Sequence, residues 1–174
     1  IANGANRTAE IVKGLRIYAR NDQGEISTLN INSSLETALL LLNNTIKDRI
    51  TVTKQFENDA IIEAYAERID QVILNMLSNA AQAIKDAGEI TLRTQTDSEK
   101  VTIDIIDNGV GIPKDKIHKI FDPFFTTKPV GQGTGLGLSI SQSIIKAHNG
   151  SIKVTSENGL TTFSISLPKK APIQ

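Results

Sequence analysis

The chain has 174 residues, of which 39% are hydrophobic and 22% charged, and this is enough for one globular domain with its own core. Its 19 basic and 19 acidic residues cancel to a formal net charge of zero, which gives no support to a nucleic-acid-binding surface. It contains no cysteine, so a disulfide framework and a cysteine-based zinc site are excluded, and no apolar run approaches the length needed to span a membrane.

The first 20 residues have the pattern of a helix with an apolar stripe at heptad-like spacing. The stripe consists of Thr8, Ile11, Leu15 and Tyr18. A helix with such a stripe needs a partner, so it either lies on its own domain or forms half of a hairpin or dimer seam. Residues 21–24 predict a turn or linker. Because the chain starts at Ile1 and not at methionine, we expect it to be a piece of a longer protein.

The following segment is predicted to contain three short strands and one helix. Residues 28–31 have the composition of a strand, and so do residues 50–53 and 60–62. Between them, Ser33 and Glu36 have the spacing of a capping box, which predicts a helix that runs to about residue 48.

The clearest helical pattern covers residues 67–85. Its apolar face is formed by Ile69, Val72, Ile73, Met76, Leu77, Ala80 and Ile84. Residues 86–88 contain a glycine and are expected to end this helix. Two strands, residues 90–96 and 101–106, are predicted to follow it.

The last part of the chain is predicted to form one helix and a β-hairpin. The helix covers residues 138–147, and the hairpin strands are residues 151–156 and 161–167, joined around Asn158 and Gly159. Helices that segregate against a largely antiparallel sheet indicate an α+β fold, a two-layer sandwich with helices on one face of the sheet.

Two sets of glycines lie between residues 107 and 140. Gly109 and Gly111 follow Asp107, and the second set leads directly into the helix at residue 138. The second set consists of Gly131, Gly133, Gly135 and Gly137. Glycine lets backbone N–H groups approach a ligand, and the first amides of a helix are unpaired donors that suit phosphate groups.

Two common phosphate-binding motifs are excluded. No glycine is followed by Lys-Ser or Lys-Thr, so the chain has no P-loop. Leu136 and Leu138 occupy the positions of the third glycine in a dinucleotide fingerprint, and Pro129 stands where its strand should be. Another type of nucleotide site is therefore expected.

Several polar side chains in these segments have both a binding interpretation and a plain one. Asn75 and Asn79 lie four residues apart on one helix, so their amides either share a Mg²⁺ site or form a solvated face. Asp107 either accepts the exocyclic N–H of adenine or belongs to an ordinary turn. His118 and His148 are interpreted as structural or solvent-facing and not as nucleophiles.

Three phenylalanines stand together before the second glycine set: Phe121, Phe124 and Phe125. They are expected to fix the base of a long loop that acts as a lid. Lys128, which follows them, either reaches a terminal phosphate or is solvated.

Taken in order, four segments resemble the N, G1, F and G2 boxes of the catalytic and ATP-binding domain of sensor histidine kinases, which are GHKL proteins with the Bergerat fold. The segments read QVILNMLSNAAQAI, DNGVGI, FDPFFTTK and GTGLGLSI. The resemblance covers roughly residues 28–167, and the F box and short lid look most like the nitrogen-regulator type. It implies a catalytic ATP-binding domain at residues 23–170. It also implies that residues 1–22 are a remnant of the dimerisation and phosphoacceptor hairpin.

The resemblance also implies roles for individual residues. Asp107 would bind the adenine amine, Thr162 would assist through water, Asn79 would hold Mg²⁺, and Asn75 and Lys128 would have catalytic roles. Residues 113–134 would form the ATP lid. The other implied nucleotide-binding residues are Gly109, Gly111, Ile112, Thr126, Thr127, Gly133, Thr134, Gly135, Leu136, Gly137 and Leu138.

The implied activity is transfer of the ATP γ-phosphoryl group to a histidine on the domain's own dimerisation hairpin. The implied partners are ATP or ADP, that hairpin, a response regulator receiver domain and a second copy in the whole protein, with no nucleic acid and no membrane contact by these residues. The domain would be cytoplasmic, and membrane anchoring of the whole protein is left open.

Two departures from the family pattern affect this interpretation. These residues contain no phosphoacceptor histidine followed by Glu or Asp, and Asn75 stands where ATP-hydrolysing relatives carry a general-base Glu. An amide cannot act as a base, so transfer is favoured over hydrolysis. A GHKL-type ATPase and a non-catalytic nucleotide-binding module are the alternatives.

Overall fold

The computed structural model describes residues 25–127 and 133–170. Its elements in chain order are β1 (Ser27–Asn30), α1 (Ile31–Leu41), α2 (Asn43–Ile46), β2 (Ile50–Phe56), β3 (Ile61–Ala64), α3 (Ala66–Ala83), β4 (Gly88–Thr96), β5 (Lys100–Asp107), α4 (Gly137–Ala147), β6 (Ser151–Glu157) and β7 (Leu160–Pro168). The helix predicted at residues 1–20 lies outside the described residues. No helix in the described ranges is long and apolar enough to cross a membrane.

The main sheet has five strands in the order β2-β4-β5-β7-β6. β2 pairs with β4 in parallel, and every other pair in this sheet is antiparallel. β1 and β3 form a separate antiparallel pair. Along β5 and β7 buried residues alternate with half-buried ones, because one face of the sheet is covered by helices. The predicted α+β architecture with helices on one face is confirmed.

α3 supplies the largest helical share of the core. All seven side chains of its predicted apolar face are buried, between 0% and 4% exposed. They lie against the inward side chains of the sheet, including Ile90, Leu92, Ile103 and Ile105, each 0% exposed. The core therefore fixes which face of α3 points away from the sheet, and Asn75 and Asn79 lie outside that buried set.

The predicted ends of two helices are wrong. The cap of α1 is Asn30, whose side chain accepts a hydrogen bond from Ser33 N at 3.1 Å, and Glu36 instead forms an ion pair with Lys54. α3 ends at Ala83, and Gly88 begins β4 and does not stop the helix. At α1 two nearby polar residues could each serve as the cap, and Asn30 takes that role instead of Ser33. At α3 the last carbonyls are bound by Arg49, which is distant in sequence and which local sequence does not reveal.

The predicted hairpin at the end of the chain is confirmed. Asn158 and Gly159 have φ values of 52° and 77°, the left-handed pair that a two-residue type I′ turn requires. This tight turn fixes the register of β6 on β7, and Ser156 lies opposite Thr161. The hairpin thereby brings two hydroxyl side chains to the edge of the candidate site.

Candidate nucleotide-binding site

The candidate site is bounded by α3, by the loop that follows β5 and by the first turn of α4. On α3, Asn75 Nδ2 donates to Ser141 Oγ of α4 at 2.9 Å. A Cβ atom on Gly137 would lie 2.5 Å from Asn75 Oδ1, so a larger residue there would displace the Asn75 side chain. The polar side of α3 is therefore held directly against the start of α4.

A cleft of about 310 Å³ lies between these two helices and is lined in part by Asn75, Ser78, Gly137 and Ser141. Asn79 is half-buried one helical turn beyond Asn75. The structure thus brings Asn75 next to Gly137 at the start of α4, and Asn79 follows on the same helix.

The first turn of α4 presents backbone donors. The helix begins at Gly137, its cap residue Leu136 makes no side-chain cap bond, and Ile140 N is the first amide to bond back, to Leu136 O at 3.0 Å. The amides of residues 137–139 precede that first bond and lie at the positive end of the helix dipole. This end of the site is suited to an anionic ligand.

Asp107 marks the other end of the site. It is the last residue of β5 and 2% exposed, and its Oδ1 accepts a hydrogen bond from Gly109 N at 2.9 Å. Burial raises the pKa of this carboxyl above its ordinary value, and the hydrogen bond from Gly109 partly offsets that rise. A second carboxylate oxygen has capacity for an N–H donor from a ligand.

The loop after Asp107 is fastened to the end of α3. Val110 N donates to Ala83 O at 3.0 Å, and a Cβ atom on Gly109 would lie 2.6 Å from the Ala83 backbone. Gly111 has a φ of +74°, a conformation that glycine adopts without strain. These contacts explain why glycine stands at both positions.

The strand register corrects one implied residue. β5 pairs with β7 so that Asp107 lies opposite Thr161, which is 4% exposed, and Thr162 points to the other face of the sheet. Thr161 Oγ1 lies 3.1 Å from Ser156 Oγ, and that hydroxyl accepts a hydrogen bond from Ile112 N at 2.8 Å. Thr161, and not Thr162, is therefore the threonine on the side of Asp107.

The predicted lid has two described parts, residues 113–127 (the first arm) and residues 133–134 (the second arm), and a backbone contact links the first arm to the residue that follows the second. Phe124 N donates to Gly135 O at 2.9 Å, and a Cβ atom on Gly135, whose φ is +68°, would collide with the Phe124 backbone. Phe121 and Phe125 pack against the core as expected, whereas Phe124 is 59% exposed.

The remaining predicted lid residues fall into two groups. Thr126 and Thr127 are exposed on the first arm, and Gly133 and Thr134 are half-buried on the second. Thr134 Oγ1 accepts a hydrogen bond from Leu136 N at 3.3 Å. Lys128 and Gly131 lie outside the described residues.

Neither histidine lies in the cleft between α3 and α4. His148 is 3% exposed; its Nδ1 lies 2.8 Å from Ile144 O, and its Nε2 accepts a hydrogen bond from Tyr65 N at 3.2 Å. His148 therefore links the end of α4 to the start of α3, which confirms the structural interpretation. His118 is exposed on the lid.

Sequence reasoning missed Ser141, which is 2% exposed and holds the Asn75 amide. The available signal was a serine inside an apolar helical run, at the position that faces the neighbouring helix.

The donor set fits Mg²⁺ only in combination with a phosphate ligand. Within residues 25–127 and 133–170, no group of three or more His, Cys, Asp or Glu side chains is arranged to hold a metal. Asn75 places a neutral amide oxygen next to Gly137 at the start of α4, and Asn79 carries a second amide one helical turn away. Mg²⁺ accepts such ligands when phosphates and water supply the rest. The residues present therefore fit a phosphate-bound magnesium ion.

Comparison with known proteins agrees with this geometry. Residues 64–171 match the family described as histidine kinase-, DNA gyrase B-, and HSP90-like ATPase. The sensor kinase CckA of Brucella abortus (strain 2308) is 36% identical over 186 residues, which cover 97% of this chain and 20% of CckA. AtoS, a signal transduction histidine-protein kinase of Escherichia coli (strain K12), is 39% identical over 163 residues, which cover 91% of this chain and 26% of AtoS. The chain thus spans about a fifth to a quarter of these two relatives.

Solved structures give the same result. The nucleotide-free catalytic domain of the histidine kinase ThkA is 33% identical, with a TM-score of 0.77, over 84% of this chain and 99% of that one. ThkA in complex with the response regulator protein TrrA matches 97% of this chain and 49% of that one, with 29% identity and a TM-score of 0.79. The chain belongs to the histidine kinase-, DNA gyrase B- and HSP90-like ATPase family, and it is a catalytic domain of the sensor histidine kinase type.

Proposed function

We propose that this domain binds ATP with Mg²⁺ and transfers the γ-phosphoryl group to a histidine on a dimerisation helix of the whole protein. The observation that carries the proposal is the division of the site into two ends. A nearly buried carboxylate, Asp107, stands at one end, and the amides at the start of α4 stand at the other. The first suits a base with an N–H donor, and the second suits a phosphate chain.

Asp107 would accept a hydrogen bond from the exocyclic amine of adenine. Guanine carries a carbonyl oxygen at the corresponding position, and a carboxylate facing that oxygen would be repelled. Thr161 and Ser156, whose hydroxyls lie 3.1 Å apart, would support the base through water.

At the other end, amides of residues 133–138 would contact the phosphates, and Asn79 would hold Mg²⁺ with Asn75 nearby. Bound there, the ion would neutralise part of the negative charge on the phosphates. Lys128 and the two threonines of the lid would complete this end of the site.

The side chains at the phosphate end favour transfer over hydrolysis. Asn75 is an amide, and its Nδ2 is engaged with Ser141, so it has no means of activating water. Phosphoryl transfer depends on an in-line nucleophile that is held in position. A histidine on a dimerisation helix would supply that nucleophile, and the resemblance assigns residues 1–22 to the second helix of that hairpin and residues 23–170 to the catalytic domain.

We further propose that the whole protein is a homodimer that passes the phosphoryl group to a response regulator receiver domain. The regulator is supported by the structure of ThkA, a relative in fold and sequence, in complex with the response regulator protein TrrA. The homodimer is supported only by the resemblance of residues 1–22 to a dimerisation helix.

The test uses the whole protein and measures phosphohistidine formation and release of inorganic phosphate from ATP in the same samples. Phosphohistidine that accumulates with little free phosphate supports the proposal. Rapid phosphate release without phosphohistidine indicates an ATPase, and binding with neither product indicates a non-catalytic module. An Asp107→Asn variant serves as the control, because both products should fall with it.

A further inference from the structure

Arg49 lies just before β2, outside all of the segments that carry the family resemblance, yet its side chain holds the end of α3. Its guanidinium donates from Nη1 to Ile84 O at 2.6 Å and from Nη2 to Ala81 O at 2.8 Å. Its Nε donates to Thr45 O at 2.7 Å, which fixes the plane of the guanidinium. Each of its three nitrogens therefore has a carbonyl partner.

This contact supplies what α3 lacks at its own C-terminus. The last carbonyls of a helix have no partners within it, and a cation there is favoured by the helix dipole. α3 has no basic residue in its last turn. Arg49 provides both the donors and the charge from 32 and 35 residues away in the sequence.

The same helix end also holds the base-recognition loop. Between the two carbonyls that Arg49 binds lies Ala83 O, which accepts a hydrogen bond from Val110 N at 3.0 Å. Gly109 approaches the Ala83 backbone so closely that a Cβ atom there would lie 2.6 Å away. The amide of Gly109 is in turn the hydrogen-bond donor to Asp107 Oδ1.

Arg49 is also connected to the loop after Asp107 through the start of β4. Gly88 N donates to Arg49 O at 3.0 Å, so the backbone of Arg49 is also fixed. The next residue, Glu89, exchanges hydrogen bonds with Asn108: Glu89 N donates to Asn108 Oδ1 at 2.8 Å, and Asn108 N donates to Glu89 O at 3.3 Å. The loop after Asp107 is thus held on one side by β4 and on the other by the end of α3, and Arg49 contacts both.

We propose that Arg49 is a positioning residue for base recognition, which sets the position of the Asp107 carboxylate and the Gly109 loop by fixing the C-terminus of α3. The proposal rests on the proposed function, in which Asp107 accepts a hydrogen bond from the base. Arg49 itself contacts no ligand in this account. A role confined to stability would change the unfolding temperature without changing which base is preferred.

The experiment compares the affinities of ADP and inosine diphosphate, which has a carbonyl in place of the adenine amine, for the 174-residue chain. Wild type is expected to prefer ADP. Arg49→Ala is expected to lower the ADP affinity about tenfold, the change produced by misaligning a single hydrogen bond, and to leave the affinity for inosine diphosphate nearly unchanged. The preference for ADP should therefore shrink.

Arg49→Lys provides a milder variant in case Arg49→Ala does not fold. Lysine keeps the charge but lacks the fork that reaches two carbonyls at once, so the preference for ADP should fall to an intermediate value. In the folded lysine variant, hydrogen exchange of the Val110 and Gly109 amides should accelerate. Lys54→Ala is the matched control, since it removes an exposed cation of β2 and should change neither quantity.

Two outcomes would overturn the inference. One is a preference for ADP that is unchanged in folded Arg49→Lys and Arg49→Ala proteins. The other is an equal loss of both affinities with unaltered exchange at Val110. A wild-type protein without any preference for ADP would instead contradict the proposed role of Asp107, so the two failures are distinguishable.

Discussion

Asp107 is a buried carboxylate, and its burial is unfavourable to the stability of the folded protein. Its carboxylate is 2% exposed, and Gly109 N is the hydrogen-bond donor found for its Oδ1. Burying a charge with incomplete hydrogen bonding is unfavourable, which is why its pKa is raised. The adenine amine would supply the missing donor.

Replacement of Asp107 with Asn is therefore expected to separate binding from stability. The hydrogen bond from Gly109 can persist to the amide oxygen, but the amide N–H₂ would face the adenine amine. ATP affinity should fall by about 1–3 kcal/mol, the range for losing a charge-assisted hydrogen bond. Calorimetric titration measures this loss, and an unchanged affinity in a folded variant would refute the role of Asp107.

The pH dependence of stability follows from the same shift. Because the folded pKa of Asp107 is raised, its protonation contributes stability that is fully present below the unfolded pKa and is lost as pH rises through the folded pKa. Relative to the Asp107→Asn variant, the free energy of unfolding of the wild type should thus decrease as pH rises. Urea denaturation of both proteins between about pH 4 and pH 7 measures the two free energies of unfolding. A free energy of unfolding that increases with pH in the wild type relative to the variant would contradict the raised pKa.

Asn79 provides a separate test of the proposed metal site. Asn79→Ala should remove the part of nucleotide affinity that depends on Mg²⁺ and leave metal-free ADP binding nearly intact, because in the proposed site the amide oxygen would bind the ion and not the base. Titrations of ADP with Mg²⁺ and with a chelator measure the two quantities. An equal loss under both conditions would indicate a disturbed helix and would count against the metal role.

At the scale of elements, Gly135 approaches the Phe124 backbone closely and so links the two arms of the predicted lid. Gly135 and Gly159 both have positive φ values, +68° and +77°, so alanine introduces backbone strain at either position. A Cβ atom at Gly135 would collide with Phe124, whereas none of the described atoms lies within 4 Å of one at Gly159. Alanine at the two glycines therefore introduces similar backbone strain, but only at Gly135 does it also introduce a steric clash.

Gly135→Ala should weaken ATP binding strongly, and Gly159→Ala should leave it unchanged while costing about 1 kcal/mol of stability. Titration calorimetry and denaturant unfolding of both variants measure these effects. Equal ATP affinities for the two variants would show that the contact between Phe124 and Gly135 does not shape the site.

The sequence alone predicts the apolar face of α3, because only one orientation of the helix buries all seven side chains that recur at helical spacing. It does not predict the residue at which that helix ends. The groups that cap it, Arg49 and Val110, come from distant parts of the chain. The threonine beside Asp107 was also missed, because a shift of one residue along a strand turns a side chain to the opposite face.

In the whole molecule, the fold sets the distance between the two ends of the site. α3 lies on the sheet through its buried face, and Arg49 fixes its C-terminus near the base end. At its N-terminus, Tyr65 N donates to His148, the residue that ends α4. Asn75 and Ser141 join the two helices between these points. The fold class was predictable because α3, α4 and the strands of the main sheet are long and periodic. These cross-links between elements were not predictable.

The central claim is that this domain transfers a phosphoryl group to a histidine that it does not itself present. His148 is 3% exposed with both ring nitrogens engaged, and His118 lies on the exposed lid without an acidic neighbour after it. One labelling experiment tests this claim: γ-labelled ATP is incubated with the 174-residue chain alone and with a dimerisation hairpin added, followed by mapping of the modified residue. We expect acid-labile, base-stable label on the hairpin histidine and none on the chain alone. Stoichiometric label on His118 or His148, or phosphate release with an unlabelled hairpin, would contradict the account.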